Sequence, residues 1–355
     1  MSNNNNLHKA KKAKNDEFYT QLDTVEAEMK AYVDYNPDVF RGKTILCPCD
    51  DPDWSNFAKH FIDRRHEYGY KKLICTCYNK NGRGKKLVLE NGVGNITALN
   101  GDGDFRSDEV SALLGDVDYI ITNPPFSLFR EFFAWIMKNE KKFSIIGNTN
   151  AITYKEVFPY IKENKIWIGS SRASHAIVFD TPDGEKKFIC AMWFTNIPYD
   201  FSAYIKPLDL HTKAYWEERG VKYPKYDNYD AIEVSKTIHI PSDYEGVMGV
   251  PITWLEKYCP DQFEIIKFRK GDDDKDLSVN GECPYFRVLI KNKPDQFEIV
   301  GCTLRWSDCK TKVYTEEEYK NYNDLNGASV IMENGTPKKL FCRILIQHKN
   351  SEEEK

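Results

Sequence analysis

Residues 117–133 read VDYIITNPPFSLFREFF. The first six form a short apolar run rich in β-branched residues, which predicts a buried strand over Val117–Thr122. Beyond the turn, Phe129, Phe132, Phe133, Ile136 and Met137 recur at i, i+3, i+4, i+7 and i+8, one face of a helix. The same alternation continues on either side. Thr44–Cys47, Leu73–Cys77 and Phe143–Ile146 read as strands. Ser55 is placed to cap a helix with Phe57, Ala58, Phe61 and Ile62 on one face. Further upstream, Asp23 with Glu26 forms a capping box that opens a helix through about Ala31. Strands alternating with amphipathic helices predict an α/β fold with a mainly parallel sheet covered on both faces.

In such sheets ligands bind beyond the carboxyl ends of the strands. Asn123-Pro124-Pro125-Phe126 falls there. A Pro-Pro turn that merely stops the strand is the plain alternative. The chemistry of the four residues suits methyl transfer to an exocyclic amine. The lone pair of such a nitrogen is conjugated into its ring. Asn123 Oδ1 and the Pro124 carbonyl can accept both N–H bonds, which draws the nitrogen toward sp³. Proline brings no N–H and a fixed φ, so the acceptor is rigid and meets little competing donor. Phe126 can stack on the base, worth roughly 1–3 kcal/mol. The methyl donor must then be a sulfonium, S-adenosyl-L-methionine.

The motif NPPF resembles that of amino-methylating DNA methyltransferases. Three longer strings, LHKAKKAKNDEFYTQ, CPCDDPDWSNF and GVPITWLEKYCPDQFEII, resemble the EcoRI-type adenine-specific DNA methyltransferases, from about residue 7 to about 345. The resemblance implies a Rossmann-like S-adenosylmethionine-dependent methyltransferase sheet with a β-rich C-terminal target-recognition domain. It implies methylation at N6 of a flipped-out adenine in double-stranded DNA, with a cognate restriction endonuclease as partner. GAATTC is one recognition site that it suggests. Phe18, Tyr19 and Thr20 resemble the motif that touches the methionine part of the cofactor. Asp50, with Asp51 as a rival, ends the first strand, where a carboxylate can accept from the methionine ammonium. Asp104 and Phe105 resemble the motif that reads the cofactor's adenine, with Asp102 a rival. The chain also departs from the wider methyltransferase pattern. Cys47-Pro48-Cys49-Asp50 stands in place of a Gly-x-Gly, and Tyr78-Asn79 in place of an acidic residue for the ribose.

The chain has 355 residues, a length that fits about two domains. Its net charge is −4, from 50 basic and 54 acidic residues, which gives no bulk sign of a nucleic-acid partner. Counted by segment, residues 1–230 hold 32 of each sign and 231–355 hold 18 basic and 22 acidic. Positive charge is local. Lys9, Lys11, Lys12 and Lys14 lie in an Asn- and Lys-rich arm, residues 1–14. Between Lys71 and Lys86 there are six basic residues and no acidic one. The loop NKNGRGKK follows the second strand on the same edge as NPPF. Lys80, Arg83, Lys85 and Lys86, with Lys11 and Lys14 of the arm, are candidate phosphate contacts; a solvated basic face is the alternative.

The character changes near residue 225, where aromatic and β-branched runs alternate with polar turns such as Gly271–Asp274. The organisation expected is a catalytic domain over 15–230, a recognition domain over 231–350 and an acidic tail over 351–355. In the second domain Arg287, Lys291, Lys293, Arg305 and Arg343, with Trp306, either read base edges or edge the strands. No apolar run approaches the roughly 18 residues needed to span a bilayer, and the N-terminus lacks the apolar core of a secretory signal. The reading is a cytoplasmic monomer with free thiols. The pairs Cys47/Cys49 and Cys75/Cys77 lie in apolar strands with the wrong spacing for a zinc site, and no metal is expected. Other readings of an Asn-Pro-Pro-aromatic motif are protein-glutamine or RNA N-methylation. A catalytically inactive DNA-binding specificity protein is a third.

Overall fold

The computed structural model describes residues 18–170, 177–181, 184–200, 207–226, 229–268 and 343–349, and the backbone of four strands between 286 and 339. The arm at 1–14, the tail at 351–355, the turn at 271–274, Lys291, Arg305 and Trp306 lie outside the described residues, as do the side chains of Arg287 and Lys293. Two compact units divide at Tyr204/Ile205.

In the first unit, strand β1 (Tyr19–Thr20) leads into helix α1 (Leu22–Tyr35). No capping box forms. Gln21 holds the cap position, and the Asp23 carboxylate accepts from the neighbouring Thr24 N–H at 2.7 Å. The helix runs on to Tyr35 because Val25, Met29 and Tyr32 keep an apolar stripe buried. There follow β2 (Thr44–Cys47), α2 (Asn56–Asp63), β3 (Lys72–Cys77), β4 (Lys85–Glu90), β5 (Val93–Ala98), β6 (Tyr119–Thr122), α3 (Phe129–Lys138), β7 (Lys142–Asn148), β8 (Trp167–Ile168), β9 (Ile177–Asp180), β10 (Lys186–Ile189) and β11 (Ala191–Thr195).

Eight of these strands make one mixed sheet in the order β5-β4-β3-β2-β6-β7-β11-β8. The strands β3, β2, β6 and β7 are mutually parallel. Antiparallel pairs extend the sheet on both sides. The parallel centre is the predicted part. The hairpin β4–β5 was not predicted, and it places Lys85 and Lys86 at the head of a strand rather than in a loop. Its turn is Asn91-Gly92, both at positive φ (50° and 82°), with Leu87 and Leu89 buried behind it. Asn-Gly between alternating apolar residues is a strong hairpin signal.

Helices α1 and α2 pack on the sheet face that carries Ile45, Cys47, Leu73, Cys75, Ile121 and Trp193. Helix α3 covers the other face, with Phe133 against Phe143 and Phe129 against Phe194. Ile62, placed on the apolar face of α2 by periodicity, is 40% exposed; His60 is buried instead. Burial pushes its imidazole down to about 4. Cys47 and Cys75 sit in register on β2 and β3 as buried free thiols. Among the described residues no cluster could hold a metal ion, and no helix is long and apolar enough to cross a membrane.

A small antiparallel sheet, β1-β9-β10, sets Tyr19 opposite Asp180 and Thr20 opposite Phe179.

The second unit contains β12 (Ala231–Glu233), β13 (Val247–Pro251), β14 (Phe263–Phe268), β15 (Phe286–Ile290), β16 (Lys293–Val300), β17 (Val330–Glu333), β18 (Thr336–Lys339) and β19 (Arg343–His348). Strands β12-β13-β19-β14 form one sheet, and β15–β16 and β17–β18 are separate hairpins. Tyr226 packs against Ala231 and Leu345, so the residues just after the compositional change belong with this sheet. Arg343 is committed to the buried Glu233, to which it donates from Nε at 2.9 Å and from Nη2 at 2.5 Å. Its charge is therefore held inside the unit.

Candidate active site

From β2 the chain passes to β3 on one side and later to β6 on the other. The loops after β2 and β6 diverge there, at the edge where such sheets bind ligands. A cleft of about 630 Å³ opens at this edge. Its walls come from the segments around Phe18–Thr20, Pro48–Phe57, Cys77–Tyr78, Gly103–Arg106 and Asn123–Leu128, together with Asp180.

Asn123 follows directly on Thr122, the last residue of β6. Its Nδ2 donates to the Phe18 carbonyl at 2.7 Å. Its Oδ1 is buried and has no hydrogen-bond partner. An unpaired buried acceptor costs roughly 1–3 kcal/mol, so its persistence asks for an explanation. The Pro125 carbonyl accepts from Leu128 N–H at 2.9 Å and closes the turn into α3; no turn bond among the described residues occupies the Pro124 carbonyl. Phe126 is half-buried, with its ring 5.7 Å from that of Phe18 and 6.0 Å from that of Phe179. It props the turn from behind and is not part of the cleft wall.

Asp50 lies in the wall just beyond β2 and is almost fully buried. Its Oδ1 accepts from Ser55 Oγ at 2.6 Å and its Oδ2 from Thr122 Oγ1 at 2.5 Å. Burial pushes the carboxyl up to about 7, although both hydroxyl donors pull it back down. Ser55 also caps α2 as predicted, accepting from Phe57 N–H at 3.1 Å. Asp51, the rival, lines the cleft too; it accepts from the Cys77 thiol at 3.3 Å and lies 3.5 Å from Lys85 Nζ.

Asp104 lines the cleft, whereas Asp102 does not. The Arg106 guanidinium bonds Asp104 at 2.6 Å and holds its carboxyl below the usual range. The Phe105 ring is buried against Phe132 and Trp135, so its main chain is the part that faces the cleft. Gly103 makes this loop possible. A Cβ there would lie 2.2 Å from the Cys77 carbonyl, at a φ of +85°.

Tyr19 and Thr20 are brought in by the pairing of β1 with β9, and Asn56 Nδ2 ties down the Thr20 carbonyl at 2.8 Å. Thr20 Oγ1 is a second buried oxygen without a partner. Sequence reasoning missed Trp54, Asn56, Tyr78 and Asp180 as wall residues. The Trp54 ring lies 4.2 Å from that of Tyr19, tilted by 58°, and Tyr78 stands exposed where β3 ends. For Tyr78 the signal was available: it follows a strand at the ligand-binding edge.

The basic stretch is brought to the same edge but is partly spoken for. Lys80 is exposed in the turn after β3. The Arg83 side chain donates to the Leu99 carbonyl, and Lys85 is ion-paired to Asp53. Lys86 is half-buried in β4. Lys11 and Lys14 lie outside the described residues.

The family described as "Adenine-specific methyltransferase EcoRI" matches residues 6–293. The Type II methyltransferase M.EcoRI of Escherichia coli is 48% identical over 323 residues, which cover 81% of this chain and 96% of that protein. The Type II methyltransferase M.MpnI of Mycoplasma pneumoniae is 37% identical, over 81% of this chain and 98% of its own length. The Type II methyltransferase M.MgeORF184P of Mycoplasma genitalium is 34% identical over the same shares. No solved structure matches. Similarity of this extent bears out the resemblance seen in the sequence strings, and the chain belongs to the EcoRI family of adenine-specific methyltransferases.

Proposed function

We propose that the chain transfers a methyl group from S-adenosyl-L-methionine to N6 of an adenine turned out of double-stranded DNA. One observation carries this reading. The Asn123 amide oxygen is buried at the cleft, fixed in orientation by Phe18 and without a partner.

The residues present fit S-adenosyl-L-methionine. The cleft is large enough for a nucleoside bearing an amino-acid chain, and the carboxylates of Asp50 and Asp51 suit an ammonium group. Phe18, Tyr19 and Thr20, with Asp50 or Asp51, hold the methionine part. Asp104 and the Phe105 main chain hold the adenine part, while Tyr78 and Trp54 supply aromatic faces. Bound there, S-adenosyl-L-methionine supplies a methyl group already activated by its sulfonium sulfur.

Asn123 Oδ1 and the Pro124 carbonyl accept the two N–H bonds of the target amine and draw its nitrogen toward sp³. Neither residue needs to remove a proton first, because the amine is neutral. Phe126, braced by Phe18 and Phe179, keeps the turn rigid from behind. Extrusion costs a few kcal/mol of unstacking, offset by contacts to the flipped base.

In this reading the parallel centre of the sheet is the Rossmann-like catalytic core of residues 15–230, and residues 231–350 recognise the target sequence. Lys80, Arg83, Lys85 and Lys86, with Lys11 and Lys14, meet the DNA backbone. The enzyme acts as a cytoplasmic monomer and protects DNA from a cognate restriction endonuclease. Methylation-sensitive sequencing of DNA from cells that make the protein tests this. N6-methyladenine at one sequence context, absent with Asn123→Ala, is expected. Unmodified adenine in the presence of the wild-type chain would sink the proposal.

A further inference from the structure

We infer that Thr122 is a positioning residue at the end of β6, whose hydroxyl passes the state of Asp50, in the loop after β2, to Asn123, its neighbour in the chain. This rests on the cofactor reading above, in which an ammonium group approaches Asp50.

Strands β2 and β6 are parallel neighbours, paired through Leu46 and Ile120. Past that pairing the two loops part, and Thr122 Oγ1 bridges them to Asp50 Oδ2 at 2.5 Å. Both partners are buried: Thr122 is fully inaccessible and Asp50 is 5% exposed. Asn123 follows with no residue between. A displacement of Thr122 is therefore a displacement of the amide that receives the target amine.

Among the described residues, no cationic side chain pairs with Asp50. The groups that face it are the hydroxyls of Ser55 and Thr122 and the thiols of Cys47 and Cys49; Asp104 faces Cys49 from the loop after β5, and Asp51 is its chain neighbour. All are neutral or acidic. A cation entering the cleft beside Asp50 supplies the one kind of charge that the surroundings lack. It favours the ionised carboxylate, and hydrogen bonds to an ionised acceptor are shorter and about twice as strong as neutral ones. The existing bond from the Thr122 hydroxyl is then strengthened, and Asn123, already oriented by Phe18, is held more firmly at its receiving position while the methyl donor is bound. Such an arrangement orders the site before the adenine arrives.

The test compares Thr122→Val, which removes the hydroxyl, with Thr122→Ser, which keeps it. Affinity for S-adenosyl-L-methionine is measured by calorimetry from pH 5.5 to 8.5. Methyl transfer to a duplex is measured in a single turnover at saturating donor. With valine, the carboxylate loses a donor, and the acidic fall-off in affinity moves up by about one pH unit. The single-turnover rate drops about tenfold to a hundredfold, the usual effect of a misplacement near 1 Å. Serine restores both. Thr122→Ala is the second variant and serves if valine does not pack. Wild-type transfer rates and an unmoved fall-off in the hydroxyl-free variants overturn the inference. Absence of cofactor binding by the wild-type chain overturns the cofactor reading itself.

Discussion

Asn123 donates its side-chain N–H to the main-chain oxygen of Phe18 at 2.7 Å, across 105 positions of the chain. A side-chain amide held by a carbonyl has one stable orientation, because its reversal sets two oxygens face to face. Phe18 thus decides that Asn123 presents an acceptor to the cleft. The segment ahead of α1 in this way both fixes the Asn123 amide and lines the cleft.

Replacement of Asn123 by Ala removes that acceptor. Methyl transfer in a single turnover is expected to fall at least 10²–10³-fold, the range seen when one preorganised polar group is lost. Donor affinity should stay within about threefold. Retention of the wild-type rate by this variant would refute the mechanism.

Phe18→Ala takes away the ring that meets Phe126 and Phe179. A loss of about 2–3 kcal/mol in stability is expected, from a half-buried ring and two aromatic pairs. Transfer slows because the carbonyl that orients Asn123 is no longer anchored. Phe18→Leu should recover most of both, as read by thermal melting and single-turnover rates.

Asp50 makes stability depend on pH in an unusual direction. The folded carboxyl keeps its proton to about 7, whereas the ordinary value is 3.8. Folding therefore takes up a proton between those values, and this contribution to stability declines as pH rises from about 4 to 7, then levels off. Its size is on the order of a few kcal/mol. Asp50→Asn should flatten the decline. Urea titrations of both forms at pH 5 and pH 8 give the comparison, and parallel pH dependence in the two would contradict the assignment.

In the second unit, Glu233 and Arg343 form a buried ion pair at 2.5 Å. Arg343→Met alone leaves Glu233 without its cation and should cost about 3–5 kcal/mol. The double replacement Glu233→Gln with Arg343→Met should cost clearly less. A double-mutant cycle by chemical denaturation measures the difference, and additive costs would show that the pair is not coupled.

Lys80 is the freest of the basic candidates near the cleft. Lys80→Glu should weaken DNA binding and lower the slope of log affinity against log salt by about 1, the signature of one lost phosphate contact. Lys85→Glu should do less, since Lys85 is already paired with Asp53 and lies near Asp51. An unchanged slope for Lys80→Glu removes this loop from the DNA interface.

The strands β2, β3, β6 and β7 were legible because each is a short apolar run followed by a turn or a helix with a clear apolar stripe. The antiparallel flanks were not, although Asn91-Gly92 carried the sign of a hairpin. The lysines of KNGRGKK drew attention as charge, and charge hid the alternation of Leu87 and Leu89 behind them. At the site, NPPF and DEFYTQ were each readable alone. That Phe18 holds Asn123, and that Thr122 holds Asp50, are contacts between distant segments, which periodicity does not encode. Arg343 illustrates the limit in the other direction: an arginine among aromatics looked like a base reader, and only the partner Glu233 shows its charge to be internal.

The place of β19 bears on how the protein is made. It lies between β13 and β14, yet about seventy residues separate it from β14 along the chain. On a ribosome that adds about 5–20 residues per second, β13 and β14 wait roughly 4–15 s for the strand that joins them. Through that interval two apolar strands have open backbone edges in a crowded cell. The first unit has such gaps too, since β1 pairs with β9 and β2 with β6, but its described sheet contacts all lie upstream of β12. A nascent chain would thus hold all the strands of the first unit's sheets while β13 and β14 still lack the strand between them.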